Sequence, residues 1–194
     1  MKNLLAEIRV AFIATISLAV LVCCIYPSIV WVLAQGLFPA EANGSLMKRG
    51  ERFTGSNLIG QQFVDSKYFH PRPSAAGSGY DAAGSGGSNL GPTSKKLVDG
   101  VKQRVLDYRA ENGLTPDVLV PADAVTASAS GLDPHISVKN AYLQAPRVAK
   151  ARDLSEKTVF REITVYTESR DLGLFGEPRV NVVKLNVALD GIVR

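Results

Sequence analysis

Residues 10–40 decide the architecture of this chain: they read VAFIATISLAVLVCCIYPSIVWVLAQGLFPA and contain no Asp, Glu, Lys or Arg over 31 positions. An α-helix of roughly 20 apolar residues, rising about 1.5 Å per residue, crosses the hydrocarbon core of a bilayer. The stretch exceeds that length, and no other part of the sequence is comparably apolar. We therefore predict a transmembrane helix over residues 10–38, after a short tail at 1–9. The domain over 39–194 is then held at one membrane surface.

The same region also has features of a secretory signal peptide. A charged beginning precedes the apolar stretch, and residues 32–34 (VLA) have the small side chains of a cleavage site. The apolar region of a signal is about 7–15 residues long, and this one is about twice that. Trp31 and Phe38 near its far end match the aromatic belt of a membrane interface. These observations favour a retained anchor in the lipid bilayer, with a secreted binding domain as the alternative.

Pro27 lies in the middle of the span, where its missing N–H predicts a kink that a neighbouring helix could fit. The span carries no Asp, Glu, Lys, Arg or His, and a helix conducting ions or protons normally needs such a side chain. We expect this helix to anchor the chain or to dock on a partner. Its orientation stays open at this point, because lysines and arginines flank both of its ends.

Charge and cysteine content exclude two classes of protein. The net charge is +4 over 194 residues, without a run of Lys or Arg. The concentrated basic face of a nucleic-acid-binding protein is therefore missing, and we expect no nucleic acid among the partners. Both cysteines, Cys23 and Cys24, lie in the apolar stretch, so the domain beyond it has no disulfide framework.

Beyond the span, the hydrophobic spacing predicts a single α+β domain. Strands are predicted at residues 52–55, 57–64 and 180–189, the last with a bulge. The best helix covers residues 94–112, with an apolar stripe at a spacing of three to four residues and Gly113 as its stop.

Two further helices are predicted from serine caps. One begins at Ser137, runs through Tyr142 and ends near Pro146, because proline breaks the helical hydrogen-bond pattern. Residues 147–152 then form a compact basic turn, which we interpret as a solvated face. The other helix follows Ser155 and carries an apolar stripe.

Two stretches stand out by composition. Residues 68–74 read YFHPRPS, which places two aromatic rings, an imidazole and a guanidinium between prolines. We interpret them as a loop clamped over the core by its aromatic rings, or as a partner-facing patch centred on Arg72. Residues 76–91 contain six glycines, and the backbone N–H groups of such a loop can bind a phosphate. The lysine that closes a P-loop is missing, which favours a surface loop.

Residues 125–136 (VTASASGLDPHI) combine small hydroxyl residues with a histidine. A membrane-tethered serine hydrolase using Ser128 or Ser130 with His135 is therefore an alternative function, although the G-x-S-x-G pattern is missing. We favour a structural purpose, in which small residues let two backbone segments pack closely. The sequence also has no zinc-type Cys/His cluster, dinucleotide fingerprint or kinase signature. This favours an accessory subunit or a receptor-like module over an enzyme.

Six blocks of sequence resemble one known family. They lie, in this order, at residues 43–46, 55–61, 68–74, 85–90, 125–133 and 146–149. Together with the N-terminal span, they resemble the C subunit of the bacterial Kdp potassium-transporting P-type ATPase over almost the whole chain.

The resemblance implies a non-catalytic subunit of a high-affinity, ATP-driven potassium uptake complex in the bacterial plasma membrane. Its partners would be a channel-like potassium-binding subunit, a P-type ATPase subunit and a small single-span subunit. The tail at 1–9 would be cytoplasmic, and the domain at 39–194 would be extracytoplasmic. The family is also described as a catalytic chaperone that raises the affinity of the ATPase subunit for ATP. No cofactor is expected in this chain itself, and ATP is implied through the ATPase subunit.

Within this interpretation we expect partner-binding residues in the span, in residues 68–74 (the aromatic segment) and in residues 76–91 (the Gly/Ser loop), and no catalytic or metal site. Aromatic and arginine side chains are the usual anchors of protein interfaces. The expected set is Pro27, Trp31, Tyr68, Phe69, His70, Arg72, Ser85, Gly86, Gly87, Ser88, Asn89 and Leu90.

Overall fold

A computed structural model describes residues 2–49 and 52–192 of the chain. The chain forms two compact units, with the boundary between Leu46 and Met47. The first unit is helical, and the second combines helices with strands, which confirms the predicted α+β class.

The N-terminal unit is built from nearly continuous helix. Its elements are α1 (Lys2–Val20), a π-helical turn (Leu21–Ile25), α2 (Tyr26–Leu37) and the short α3 (Pro39–Ala42). The stretch Asn3–Leu37 is long and apolar enough to cross a membrane, and no second helix among the described residues passes that test. The helix therefore begins before the apolar stretch from which it was predicted and ends at Leu37, one residue before the predicted end at 38.

The backbone responds to Pro27 with the π-helical turn that precedes it. The Tyr26 N–H donates to the carbonyl of Leu21, five residues earlier, instead of four. Proline has no N–H, and its ring crowds the carbonyl four residues before it, so a wider turn accommodates both effects. The helix continues through Pro27 to Leu37.

The described residues form two small sheets. β1 pairs with β2, and a second, antiparallel sheet has the order β3-β5-β4. The register of the second sheet places Ile136 and Thr167 opposite Val180, which is buried. The strands are β1 (Leu46–Arg49), β2 (Arg52–Ser56), β3 (His135–Ser137), β4 (Thr167–Glu168) and β5 (Arg179–Asn181).

Helices cover this second sheet and enclose the core. Those described in the second unit are α4 (Lys95–Asn112), α5 (Ala122–Val125), α6 (Val138–Ala151), α7 (Glu156–Val165) and α8 (Val182–Ile192). Each large aliphatic side chain buried between them contributes about 1.5–3 kcal/mol. The core residues are Phe69, Ile136, Ala141, Ala145, Val148, Ala149, Val159, Ile163, Val180, Val182, Leu185 and Leu189.

Two helix predictions are confirmed. α4 is capped by the Ser94 hydroxyl, which accepts the Leu97 N–H, and it ends at Gly113 in the left-handed conformation (φ 63°). The Ser155 hydroxyl caps α7 in the same way. In both helices, a local cap and an apolar stripe were enough to specify the element.

The predicted end of the third helix near Pro146 is wrong. Ser137 caps α6 as predicted, but the helix continues through Pro146 to Ala151. Burial of Ala145 and Val148 in the core holds the helix together across the lost hydrogen bond. Residues 147–152 are therefore not a solvated turn, because they belong to α6 apart from its C-cap residue, Arg152.

Two strand predictions are also wrong. Residues 57–64 form a turn and extended chain, and the Gly60 N–H donates to the carbonyl of Leu132 instead of to a neighbouring strand. The predicted strand at 180–189 ends at Asn181, whose side-chain oxygen accepts two N–H groups of the next turn and starts α8. The buried residues of this helix follow a helical spacing and are Val182, Val183, Leu185, Asn186 and Leu189.

Candidate functional site

Residues 68–74 form an extended segment whose backbone is held by side-chain amides from two helices. The Phe69 N–H donates to Asn186 Oδ1 at 2.8 Å, and Asn186 Nδ2 donates to the Phe69 carbonyl at 2.9 Å. The His70 N–H donates to Gln144 Oε1 at 2.7 Å, and Gln144 Nε2 donates to the His70 carbonyl at 3.0 Å. Two consecutive residues are thus paired as in a β-ladder, with amide side chains in place of a strand. We call this arrangement the amide clamp.

A chain of buried polar groups leads from the amide clamp to the start of α6. Gln144 Nε2 and the Tyr108 hydroxyl both donate to Asn140 Oδ1 at 2.8 Å. Asn140 Nδ2 donates to Asp123 Oδ2 at 2.9 Å, and the same carboxylate accepts the Ser137 N–H. Burial, reinforced by the charge of Asp123, raises the pKa of Tyr108. The phenol therefore stays protonated and able to donate.

Two arginines of α6 and its C-cap hold the chain just before residue 69. Arg147 donates to the carbonyls of Ser66 at 2.6 Å and Tyr68 at 3.0 Å. Arg152 donates to the carbonyl of Lys67 at 2.6 Å. Both side chains are buried, with 8% and 3% of their surface exposed. Burial lowers the pKa of Arg147, but the guanidinium remains charged at neutral pH because an arginine loses its proton only in strong base.

Arg72 cross-links the aromatic segment to the loop that precedes β3. Its guanidinium donates to the carbonyls of Thr126 at 3.4 Å and Ala127 at 3.2 Å, and it contacts the Asp133 carboxylate at 3.3 Å. The Tyr80 hydroxyl donates to the Arg72 carbonyl. The three contacts of the guanidinium therefore point into the domain, which supports the clamped-loop interpretation of residues 68–74.

The Gly/Ser loop packs backbone against backbone with residues 125–136. The Gly86 N–H and the Ser85 hydroxyl both donate to the carbonyl of Ser130. Gly131 adopts a left-handed conformation (φ 68°), and a Cβ atom there would lie 2.6 Å from the Gly86 carbonyl oxygen. Only glycine fits that approach. The interpretation of these small residues as a close-packing device is confirmed.

The structure places the expected partner-binding residues in three different environments. Phe69 is fully buried in the core, so its side chain offers no surface for docking in this conformation. Tyr68, His70, Arg72, Gly86, Gly87 and Leu90 are partly exposed, whereas Ser85, Ser88 and Asn89 are exposed. Pro27 and Trp31 lie on α2 in the N-terminal unit. Their role in binding a partner stays a prediction.

An ionic chain runs from Arg72 across the second sheet. Asp133 contacts both Arg72 and His135 Nδ1, the latter at 3.2 Å. His135 Nε2 lies 3.3 Å from Glu168 Oε2, and Glu168 also pairs with Arg179 at 3.1 Å and Lys184 at 2.9 Å. The chain therefore ties the loop before β3 to β4, β5 and α8.

The two carboxylates of this ionic chain have lowered pKa values. Burial acts to raise the pKa of Asp133, but hydrogen bonds from His135 and the charges of His135 and Arg72 outweigh it. Burial likewise acts to raise the pKa of Glu168, and the contacts with Lys184, His135 and Arg179 outweigh it. Both carboxylates are therefore ionised at neutral pH.

The arrangement does not support the serine hydrolase alternative. Both ring nitrogens of His135 contact carboxylates, Asp133 on one side and Glu168 on the other. A serine nucleophile needs a histidine nitrogen within hydrogen-bonding reach as its base. Among the described residues, neither Ser128 nor Ser130 is hydrogen-bonded to this imidazole. In the same part of the chain, no group of three or more His, Cys, Asp or Glu could hold a metal ion.

Sequence reasoning missed the residues that hold the aromatic segment in place. Gln144, Arg147 and Asn140 lie on one face of α6 at a spacing of three and four residues, and Asn186 lies on the buried face of α8. One signal in the sequence could have identified them. Each helix has a polar residue at a position where the spacing of its apolar residues predicts a core side chain. Buried polar groups of this kind need partners.

We expect Gln144→Leu to lower the free energy of unfolding by about 2–4 kcal/mol. The substitution keeps the volume of the side chain but leaves the partly buried N–H and carbonyl of His70 without these partners. Urea unfolding of the detergent-solubilised chain, followed by near-UV circular dichroism, measures the change. The matched control is Gln103→Leu on the exposed face of α4, expected to change it by less than about 0.5 kcal/mol. Equal effects of the two variants would refute the role of the amide clamp.

We also expect acid to weaken the domain through the ionic chain. The pKa values of Asp133 and Glu168 lie below their ordinary values of 3.8 and 4.5. The unfolded chain therefore takes up these protons first, and their stabilising contribution is complete above about pH 5 and lost as the pH falls through the folded pKa.

The measurement is urea unfolding of the wild type and of Glu168→Gln at neutral pH and below about pH 4. The variant should be less stable at neutral pH and should lose less stability on acidification. Asp99→Asn, at an exposed carboxylate of α4, should leave the acid response unchanged. An identical acid response in wild type and Glu168→Gln would contradict the prediction.

Comparison with known proteins gives a consistent result. The family described as "K+-transporting ATPase, c chain" matches residues 8–191. A "Potassium-transporting ATPase KdpC subunit" of Mycobacterium tuberculosis (strain H37Rv) is 58% identical over 86% of this chain and 88% of its own length. Proteins of the same name from Nitratidesulfovibrio vulgaris (strain Miyazaki F) and Koribacter versatilis are 52% and 46% identical. These cover 97% and 98% of this chain, and 96% and 95% of the relatives. The chain belongs to the KdpC family.

Proposed function

We propose that this chain is an accessory subunit of a potassium-transporting ATPase and has no catalytic activity of its own. The observation that carries the proposal is the family match over residues 8–191, which takes in both the apolar helix and the folded domain. Relatives at 46–58% identity over most of the chain are named as subunits of such an ATPase. A subunit of this kind acts by assembling or stabilising a complex.

The contacts of the domain agree with an accessory role. Arg72, Gln144 and Arg147 direct their donors at backbone carbonyls of the same domain. Polar groups that are saturated in this way rigidify a structure and are poor catalysts, because a catalytic group must be free to contact a substrate. We infer that these side chains define the shape of a surface that other subunits recognise.

In this proposal, the apolar helix is a single-pass anchor in the bacterial plasma membrane, and it docks on membrane helices of the complex. The partners are a channel-like potassium-binding subunit, a P-type ATPase subunit and a small single-span subunit. The folded domain lies on the extracytoplasmic side. Through the complex, the chain acts as a catalytic chaperone that raises the affinity of the ATPase subunit for ATP.

The assembly proposal is tested by purifying the pump with and without this chain. We expect the complex that lacks the chain to lose potassium-stimulated ATP hydrolysis, or to keep it with a KM for ATP raised several-fold. Replacing residues 10–38 by an unrelated span of equal length should also reduce co-purification of the other subunits. A complex that assembles fully with the replaced span would show that the helix is only an anchor. An unchanged KM for ATP and unchanged turnover without the chain would rule out both roles.

The orientation is tested with single cysteines in a chain carrying Cys23→Ser and Cys24→Ser. We expect a membrane-impermeant maleimide to label Asn89→Cys, in the exposed loop, on intact spheroplasts. The matched control, Asn3→Cys, should react only after lysis. The reverse pattern would place the domain in the cytoplasm. Loss of residue 3 from the mature chain would instead support the secreted, signal-cleaved alternative.

A further inference from the structure

The turn between β4 and β5 exposes three large apolar side chains. Leu172, Leu174 and Phe175 have 89%, 76% and 65% of their surface exposed. All three lie within four consecutive residues, whereas scattered single apolar residues are normal on a protein surface. A cluster of exposed apolar side chains usually marks a site of interaction.

This turn has a defined shape. Asp171 and Phe175 exchange both backbone hydrogen bonds at 2.9 Å, and the Gly173 N–H donates to the Arg170 carbonyl at 3.0 Å. Leu172 has a left-handed backbone conformation (φ 53°). That conformation is uncommon for a leucine, and glycine or asparagine would fit the turn better. The geometry of the turn therefore does not explain why an apolar side chain is present at this position.

Two ion pairs join the residues on either side of the apolar side chains, at the base of the turn. Arg170 pairs with Glu177 at 2.9 Å, and Arg179 lies 3.6 Å from Asp171. Arg179 also pairs with Glu168, which anchors the turn to the ionic chain and the second sheet. Arg179 therefore links the base of the turn to the second sheet.

The balance of charge distinguishes between two kinds of occupant. Elements that bind a membrane surface combine apolar residues with an excess of Lys and Arg, which attract anionic lipid. Here two basic and two acidic side chains are paired with each other. An apolar centre with a neutral polar rim is instead the usual anatomy of a protein–protein interface. The charges therefore favour a protein partner.

We propose that Leu172, Leu174 and Phe175 form a knob that inserts into an apolar socket on another subunit of the potassium-transporting ATPase. This inference rests on the proposed function, because a subunit needs partner chains, and it adds the surface through which the folded domain recognises one of them. The rim of the socket carries polar groups that face the Arg170–Glu177 and Arg179–Asp171 pairs.

Photo-crosslinking in the assembled pump tests the proposal. Phe175→p-benzoylphenylalanine in the full chain should crosslink to another pump subunit on irradiation. The matched control is the same substitution at Leu119, which is 75% exposed elsewhere on the domain and should give at most a tenth of that yield. Adding Leu172→Ser and Leu174→Ser to the Phe175 variant should lower its crosslinking at least fivefold.

The outcomes separate the proposal from its alternatives. A crosslink to a pump subunit at residue 175 but not at 119 supports the knob. Crosslinking only to lipid, or equal yields at both positions, overturns it, as does the absence of any crosslink in an intact pump. If the unmodified chain fails to co-purify with any ATPase subunit, the proposed function itself is wrong. If it co-purifies normally while residue 175 stays uncrosslinked, only the knob is wrong.

Discussion

The folded domain depends on one constraint: the backbone is buried at residue 69 and partly buried at residue 70, and no neighbouring strand pairs with it. The Phe69 side chain is fully buried, which carries its own peptide groups away from water. Each buried N–H or carbonyl left unpaired would cost about 1–3 kcal/mol. Asn186 removes that cost by pairing with the N–H and the carbonyl of Phe69, and Gln144 does the same for His70. The helices that carry these amides are therefore fixed relative to the segment they hold.

Arginine side chains satisfy backbone carbonyls on either side of the amide clamp in the same way. Arg147 and Arg152 pair with carbonyls before the amide clamp, and Arg72 pairs with carbonyls after it. The ionic chain through His135 and Glu168 then connects this region to the second sheet. Cations of this kind are long enough to reach across loops and carry several donors each. These polar side chains bind backbone groups of their own domain and so stabilise its fold, whereas the apolar side chains of the β4–β5 turn are exposed to solvent.

Sequence patterns predicted the helices that are specified by residues close together in the chain. α4 and α7 each combine a serine cap with an apolar stripe, and both were recognised. The strand prediction for residues 180–189 was wrong because a short stretch of interleaved apolar and polar residues fits a strand as well as a helix. The side chain of Asn181, which starts α8, decided between them. The predicted helix end at Pro146 was wrong for another reason. Core packing on both sides of the proline outweighs the lost hydrogen bond.

By itself, the sequence determined that the chain has one apolar helix long enough for a membrane, followed by an α+β domain, and that it resembles the family to which it belongs. These properties follow from composition, periodicity and the order of short blocks, which are readable along the chain. Only the tertiary structure decided which polar residues are buried. Gln144 meets His70 across 74 positions, and Arg152 meets Lys67 across 85. A pattern of neighbouring residues contains no information about such contacts, because whether a polar side chain is satisfied depends on the segment that folding brings to it.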